Sequence, residues 1–235
     1  RLVMQGHRVL LHGRNRQKLS EVEQALDALA DEGSVESYVA DLSRLSEVES
    51  LAQEVVEKRG QLDVLINNAG VFRTSEPLTH DGFDVRFVVN TLAPFLLTRR
   101  LLPLLGNSGR VVNLSSAAQA TVDLDALRGK RRLPDEFAAY AQSKLALTMW
   151  SRHLGLSLGD KGPMVVSVNP GSLLATKMVK EGFGMAGSDV GIGVDILIRA
   201  ALADEFANAS GQYFDNDAGQ FASPHPDVLD PQKTR

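Results

Sequence analysis

The stretch Leu62-Asp63-Val64-Leu65-Ile66-Asn67-Asn68-Ala69-Gly70 decides the fold of this chain. Its first five residues are almost continuously apolar, which is typical of a strand buried on both faces of a parallel sheet. Two amides and two small residues follow directly. The stretch therefore predicts a buried parallel strand that ends in a polar loop.

Segments typical of strands and helices alternate on both sides of this stretch. Strands are expected at residues 7–12, 35–40, 62–66, 110–114, 164–168 and 212–214. Helices are expected before Gly33, from a Ser43 cap to about Gly60, over 82–105 with an interruption at Pro94, around Tyr140 to Leu158, and over 190–206. Residues 117–136 are expected to form an inserted loop, and the tail has no period. The alternation predicts one α/β domain over residues 1–235, built on a doubly wound parallel sheet.

Composition excludes several classes of protein. The 235 residues are 43% hydrophobic and carry a formal net charge of -4, which argues against a nucleic-acid partner. Without cysteine there is no disulfide or thiolate metal site, and the five histidines lack ligand-like spacing, so no metal is expected. No apolar run approaches the roughly 18 residues of a membrane segment. We expect a cytoplasmic protein.

The residues that follow each predicted strand are the candidates for ligand binding, because open parallel sheets bind ligands beyond the carboxyl ends of their strands. Small residues and amides there let a planar ligand lie close to the backbone. Asp41 can accept a hydrogen bond from an adenine amino group, and the Arg14 fork suits a phosphate. The strand-end residues are Gly13-Arg14, Asp41-Leu42, Asn67-Asn68-Ala69-Gly70, Ser115-Ser116 and Asn169-Pro170-Gly171. They predict a dinucleotide site.

Tyr140 and Lys144 are candidates for proton transfer. They lie four residues apart in a run of good helix formers, so their side chains share one helix face. A lysine ammonium held close to a phenol stabilises the phenolate and lowers the phenol pKa from about 10. The spacing therefore predicts an acidified tyrosine, although the pair taken alone also arises by chance.

Taken together, these motifs resemble the short-chain dehydrogenase/reductase family. The resemblance rests on Asn67-Asn68-Ala69-Gly70, Asn90, Ser116, Tyr140-x-x-x-Lys144 and Pro170-Gly171, in the family's order and spacing. The long gap between Ser116 and Tyr140, together with Gly211-Gln212-Tyr213-Phe214, is similar to the retinol dehydrogenase-like and WW-domain-oxidoreductase-like branch.

The resemblance implies a Rossmann-type fold and a reaction. Hydride would move between a nicotinamide and the carbonyl/alcohol couple of a lipophilic small molecule. Tyr140 would be the acid/base, and Lys144 would lower its pKa and hold the nicotinamide ribose hydroxyls. Ser116, rather than Ser115, would orient the substrate oxygen. Asn90 would hold a water that links Lys144 to solvent.

The resemblance also bears on the cofactor. NAD-preferring members usually have an acidic residue where this chain has Gly13 followed by Arg14, and arginine attracts a 2′-phosphate. NADP(H) is therefore favoured, with NAD(H) as the alternative.

The cofactor would touch residues at several strand ends. Asp41 and Leu42 would contact adenine, Asn68, Ala69 and Gly70 the adenosine ribose, and Pro170, Gly171 and Leu173 the nicotinamide. Thr176 resembles the amide-binding threonine of the family, one residue further from Pro170-Gly171 than usual.

The chain departs from the family at its start. The family begins with a strand, a Gly-rich turn and a helix that binds the pyrophosphate, and nothing before His7 supplies them. Because a doubly wound sheet without that strand would expose two edges, we expect about 20 further residues upstream. A targeting segment there stays an alternative.

Three further questions are the function, the oligomeric state and a possible lid. A catalytically inactive cofactor-binding or scaffold protein would share the fold and is the alternative function. Sugar-nucleotide epimerases and dehydratases use the same Tyr and Lys, but they have a substrate domain for which this sequence has no room. Family members often pair through the helices that carry Asn90 and Tyr140, which is compatible with a homodimer or homotetramer. Met178, Phe183 and Met185 form either a substrate lid with glycine hinges or a poorly ordered loop.

Overall fold

The computed structural model describes residues 1–30, 32–184 and 186–234, and it confirms the predicted α/β alternation. The strands are β1 (Arg8–Gly13), β2 (Ser34–Val39), β3 (Val64–Asn67), β4 (Arg110–Leu114), β5 (Met164–Asn169), β6 (Tyr213–Asp215) and β7 (Gln220–Ala222). The helices are α1 (Arg16–Asp27), α2 (Leu45–Lys58), α3 (Val85–Phe87), α4 (Ala93–Leu105), α5 (Leu124–Leu127), α6 (Glu136–Leu158), α7 (Lys177–Phe183), α8 (Val190–Leu202) and α9 (Pro226–Leu229).

The strands form two sheets. β1 and β2 pair in parallel, and the second sheet has the order β3-β4-β5-β6-β7. Its strands are parallel from β3 to β6, and β7 runs antiparallel to β6. The carboxyl ends of β3, β4 and β5 therefore meet at one edge, where ligands bind in sheets of this type.

β3 is less buried than its sequence predicts. Its four residues are all half-buried, whereas all six residues of β5 are buried. In the described part of the chain, β3 is hydrogen-bonded to β4 alone and β1 to β2 alone. A strand paired on one side leaves its other edge to solvent. The upstream strand and Gly-rich turn stay a prediction.

Helices cover both faces of the larger sheet. Val112 and Val166 belong to a core cluster with Ile196 of α8. Their neighbours in sequence, Val111 and Val165, belong to another cluster with Leu154 of α6. Since side chains alternate between the two faces of a strand, the helices lie on opposite sides, which confirms the doubly wound architecture.

Ser43 does not cap α2, contrary to the prediction. The helix begins at Leu45, and Arg44 in the cap position makes no side-chain cap. Ser43 instead donates its backbone N–H and its hydroxyl to Asp41 Oδ1, at 3.0 and 2.8 Å. An aspartate readily accepts from the amide two residues later, and that local turn competes with capping.

The helix predicted over 82–105 begins three residues later and is interrupted before Pro94. Asp84 caps α3, and a π-helical segment, Val88–Leu92, connects α3 to α4. Pro94 lies in the first turn of α4, directly after the π-helical segment, and its missing N–H interrupts the hydrogen bonds at that junction. The π-helical segment places Asn90 in the interior, 0% exposed.

The same stretch, Val85–Leu105, is long and apolar enough to cross a membrane, with a hydropathy of 1.2. Half of the stretch is buried inside the fold. Core helices pass the same test of length and composition, so the stretch is weak evidence for a membrane span.

Several short elements were not predicted. The expected loop over 117–136 contains α5, the patternless tail contains β7 and α9, and the helix predicted over 190–206 ends at Leu202 before a 3₁₀ turn, Asp204–Phe206. Elements of three or four residues are too short to show a period. β7 forms because β6 offers it a partner, with Phe214 opposite Phe221.

Replacing Phe206 tests the packing of the core beside β6 and β7. It is 0% exposed, and its ring centre lies 5.1 Å from the rings of Phe214 and Phe221. Phe206→Ala should lower the free energy of unfolding by about 3–5 kcal/mol, because it leaves a cavity. Urea denaturation measures the loss. Leu156→Ala, at a side chain 58% exposed, should cost less than about 1 kcal/mol, and equal losses would contradict the packing.

Candidate active site

A cleft of about 790 Å³ lies at the carboxyl ends of β1 to β5. It brings together residues that are up to 167 positions apart, from His12 to Val179. All but one of the predicted site residues line it: Arg14, Asp41, Leu42, Asn68, Ala69, Gly70, Ser116, Tyr140, Lys144, Pro170, Gly171, Leu173 and Thr176. The exception is Asn90.

Tyr140 and Ser116 both line the cleft, and their side chains are hydrogen-bonded to each other. Tyr140 lies in the first turns of α6, whose N-cap Asp135 accepts a hydrogen bond from the Ala138 amide at 2.7 Å. Burial raises the pKa of Tyr140, and a hydrogen bond with Ser116 partly offsets that rise. The two hydroxyls are therefore within hydrogen-bonding distance of each other.

Lys144 is buried, with 4% of its surface exposed. Its Nζ donates to the Leu114 carbonyl at the end of β4, at 2.7 Å. Burial lowers the pKa of Lys144 to about 8, because the charged form loses its hydration. A Cβ at Gly70 would lie 3.6 Å from this Nζ, so the loop after β3 passes directly over the ammonium.

The pKa of Tyr140 is shifted in the direction opposite to the one expected from the spacing. The Lys144 Nζ lies 5.7 Å from the centre of the Tyr140 ring and donates to Leu114. Burial of the tyrosine therefore dominates its pKa, and the lysine does not lower it here. Spacing on a helix fixes the shared face but not the distance between the charge and the oxygen.

The two neighbouring serines have different environments. Ser115 is 4% exposed, and its hydroxyl lies 2.6 Å from the Thr148 hydroxyl on α6. Ser116 is half-buried, and its carbonyl accepts from the Tyr213 hydroxyl at 3.2 Å and from Gln119 Nε2 at 2.8 Å. The choice of Ser116 over Ser115 as the residue that meets the substrate stays a prediction.

Asn90 joins two elements behind the cleft. Its Oδ1 accepts from the Val71 amide at 2.8 Å, and its Nδ2 donates to the Val71 carbonyl and to Ser143 Oγ, each at 2.9 Å. The side chain thus fastens the loop after β3 to α6. Its implied role in holding a water stays a prediction.

Charges collect where the adenosine part of a cofactor would lie. Arg14 is exposed at the cleft beside Asp41. Although burial opposes it, the hydrogen bonds from Ser43 and the charges of Arg14 and Arg44 lower the pKa of Asp41. Asp41 is therefore an ionised acceptor at neutral pH.

Sequence reasoning missed an aromatic wall beside Tyr140. The ring of Phe72 is buried and lies 5.2 Å from the Tyr140 ring and 6.4 Å from the Phe137 ring. Phe72 shows no sequence signal beyond its closeness to Gly70. Of the expected lid residues, Met178 lines the cleft, whereas the Phe183 side chain and Met185 lie outside the described residues.

Known proteins with this sequence pattern identify the family. A family model described as short chain dehydrogenase matches residues 1–185. The chain belongs to the short-chain dehydrogenase/reductase family. It is 30% identical to human "Retinol dehydrogenase 13", with 100% of this chain and 76% of that protein covered. Human "Polyprenol dehydrogenase" is 33% identical, with 90% and 70% covered.

A solved structure agrees with this assignment. A short-chain dehydrogenase from Burkholderia cenocepacia J2315 in complex with NADP is 26% identical, with a TM-score of 0.70. The similarity covers 91% of this chain and 87% of that one. This short-chain dehydrogenase/reductase is thus an oxidoreductase of the alcohol/carbonyl couple, in the retinol dehydrogenase-like branch, with an NAD(P)-type cofactor.

The buried ammonium predicts a pH-dependent stability. The Lys144 pKa falls from its ordinary 10.5 to about 8 on folding. Between these values only the unfolded chain holds the proton, so the stability of the wild type rises with pH in that window. Between pH 8 and pH 10.5, the free energy of unfolding of the wild type should rise by about 2–3 kcal/mol relative to that of Lys144→Met.

Urea denaturation at several pH values measures this gain. Lys161→Met is the matched control, because it removes the same charge at an exposed position. If the free energies of unfolding of wild type and Lys144→Met differ by the same amount at every pH, the burial of the Lys144 charge is contradicted.

Proposed function

We propose that this chain is an NADP(H)-dependent oxidoreductase that interconverts a carbonyl and an alcohol on a lipophilic small molecule. The observation that carries the proposal is the meeting of Ser116, Tyr140 and Lys144 in one cleft formed by five strand ends. A site at this edge of a doubly wound sheet suits a dinucleotide.

The residues support a simple division of roles. The Ser116 hydroxyl donates to the substrate oxygen and holds it near Tyr140. Tyr140 gives its proton to the developing alkoxide on reduction and takes it back on oxidation. The nicotinamide supplies or accepts the hydride when bound. A tyrosine with a raised pKa is protonated at neutral pH, which suits the donor role in carbonyl reduction.

Lys144 has two roles in this proposal: it binds the ribose of the cofactor, and it stabilises the Tyr140 phenolate. Its Nζ has one described acceptor, the Leu114 carbonyl, and a lysine ammonium can donate three hydrogen bonds. Two donors are thus left for ribose hydroxyls in the cleft. Hydroxyl acceptors there would also favour the charged form of Lys144, which would stabilise a Tyr140 phenolate.

The lining of the cleft favours an apolar substrate. Phe72, Phe137, Met178 and Val179 line the cleft together with Tyr140. Two of them, Phe72 and Val179, are buried, so their place in the wall is fixed by packing. An apolar wall next to two hydroxyls binds a lipophilic body and orients one oxygen.

Arg14 supports NADP(H) as the cofactor. It is exposed at the end of β1 and lines the same cleft. A guanidinium there offers a phosphate bidentate hydrogen bonds that the NAD(H) ribose cannot use. Cytoplasmic location and a homodimer or homotetramer stay predictions.

Tyr140→Phe tests the proton transfer. The variant should lower kcat for reduction of lipophilic aldehydes and ketones by about 10²–10⁴-fold, while NADPH affinity changes little. NADPH oxidation across a carbonyl panel and fluorescence titration measure the two quantities. Ser116→Ala should also lower kcat, whereas Ser115→Ala should lower it much less.

Unchanged turnover by Tyr140→Phe would remove Tyr140 from the mechanism. A wild-type protein that binds no NADPH and reduces no carbonyl would favour the scaffold alternative.

Arg14→Ala tests the choice of cofactor. Loss of a charge-assisted phosphate contact should weaken NADPH binding about 10- to 100-fold and leave NADH binding nearly unchanged. Fluorescence titration with both cofactors measures the change. Arg16→Ala, at an exposed residue of α1 that does not line the cleft, is the control. Equal losses for NADPH and NADH would refute the assignment.

A further inference from the structure

The loop after β5, residues 170–176, has an unusual backbone. Gly171 has φ 123° and Leu173 has φ 53°, and Leu173 is the one residue besides glycine with a positive φ in the described chain. A positive φ is unfavourable for leucine because its Cβ crowds the backbone. Such a conformation persists only where the surrounding structure holds it.

The turn between β6 and β7 supplies that hold. Asp217 accepts three hydrogen bonds: from the Ser172 amide at 2.8 Å, from the Ser172 hydroxyl at 2.5 Å and from Asn169 Nδ2 at 2.9 Å. Because two of its donors belong to Ser172, the carboxylate fixes the residue that lies between Gly171 and Leu173.

Two neighbours of Asp217 reinforce the contact. Asn216 donates its side-chain amide to the Pro170 carbonyl at 2.9 Å and its backbone amide to the Asn169 carbonyl at 3.1 Å. Asp215 Oδ1 accepts from Asn169 Nδ2 at 2.9 Å. The last residue of β6 and the two turn residues after it thus bind Asn169 at the end of β5 and two residues of the loop that follows it.

This turn lies outside the part of the chain that the family model matches, residues 1–185. Asp217 does not line the cleft, whereas Pro170, Gly171, Ser172 and Leu173 do. The carboxylate therefore acts on the cleft through the loop that it holds.

We propose that Asp217 is a positioning residue that shapes residues 170–173 into the surface that receives the nicotinamide half of the cofactor. The inference rests on the proposed NADP(H) function. It predicts that loss of the carboxylate weakens the nicotinamide half of the site and leaves the adenosine half intact.

Asp217→Asn tests the proposal with little change in shape. The new amide group would face donors, so at least one of the three contacts is lost. The Kd for NADPH should rise about tenfold, while the Kd for adenosine 2′,5′-bisphosphate, which lacks the nicotinamide, stays the same. Fluorescence titration and calorimetry measure the two constants. Asp160→Asn, with the same charge change at an exposed 3₁₀ turn remote from the cleft lining, should change neither.

Ser172→Ala is a second variant, since it removes the hydroxyl and keeps the amide donor. It should raise the NADPH Kd by about threefold. Equal NADPH affinity of Asp217→Asn and wild type would overturn the inference, and so would an equal loss of affinity for both ligands. A wild type that binds adenosine 2′,5′-bisphosphate but not NADPH would overturn it as well. A wild type that binds neither ligand would instead overturn the proposed function.

Discussion

The site depends on α6 docking in a single register, and buried hydrogen bonds specify that register. Ser143 meets Asn90 at 2.9 Å, Thr148 meets Ser115 at 2.6 Å, and Ser151 meets Asn113 at 2.8 Å. An apolar helix face could slide with little penalty. Each buried polar group left without a partner costs about 1–3 kcal/mol, so a slipped helix would lose much of the roughly 5–15 kcal/mol that stabilises a domain.

The same docking controls the charges of the site. Because α6 is held against β4, Lys144 enters the interior, where its ammonium donates a hydrogen bond to the Leu114 carbonyl, a neutral acceptor. Burial lowers the pKa of Lys144 and raises that of Tyr140, so both shifts favour the neutral groups. Ligand hydroxyls at the ammonium would reverse this preference, which couples cofactor binding to the acidity of the tyrosine.

The fold and the cleft were largely predictable because they depend on local patterns. Apolar runs such as 110–114 and 164–168 mark buried parallel strands, and the residues after them must meet at one edge. The errors fall where the signal is short or where two local interactions compete. Ser43 bonds to Asp41 instead of capping α2, and β7 has three residues and forms only as the partner of β6.

The sequence by itself determined the doubly wound sheet, the family and the strand-end residues that line the cleft, because strand ends and motif spacing are written in local order. Only the tertiary structure decided how those residues act. It placed Asn90 behind the cleft and the Lys144 Nζ 5.7 Å from the centre of the Tyr140 ring. It also brought Phe72 to Tyr140 and Asp217 to Ser172. Such contacts join distant segments through packing, which no local pattern records.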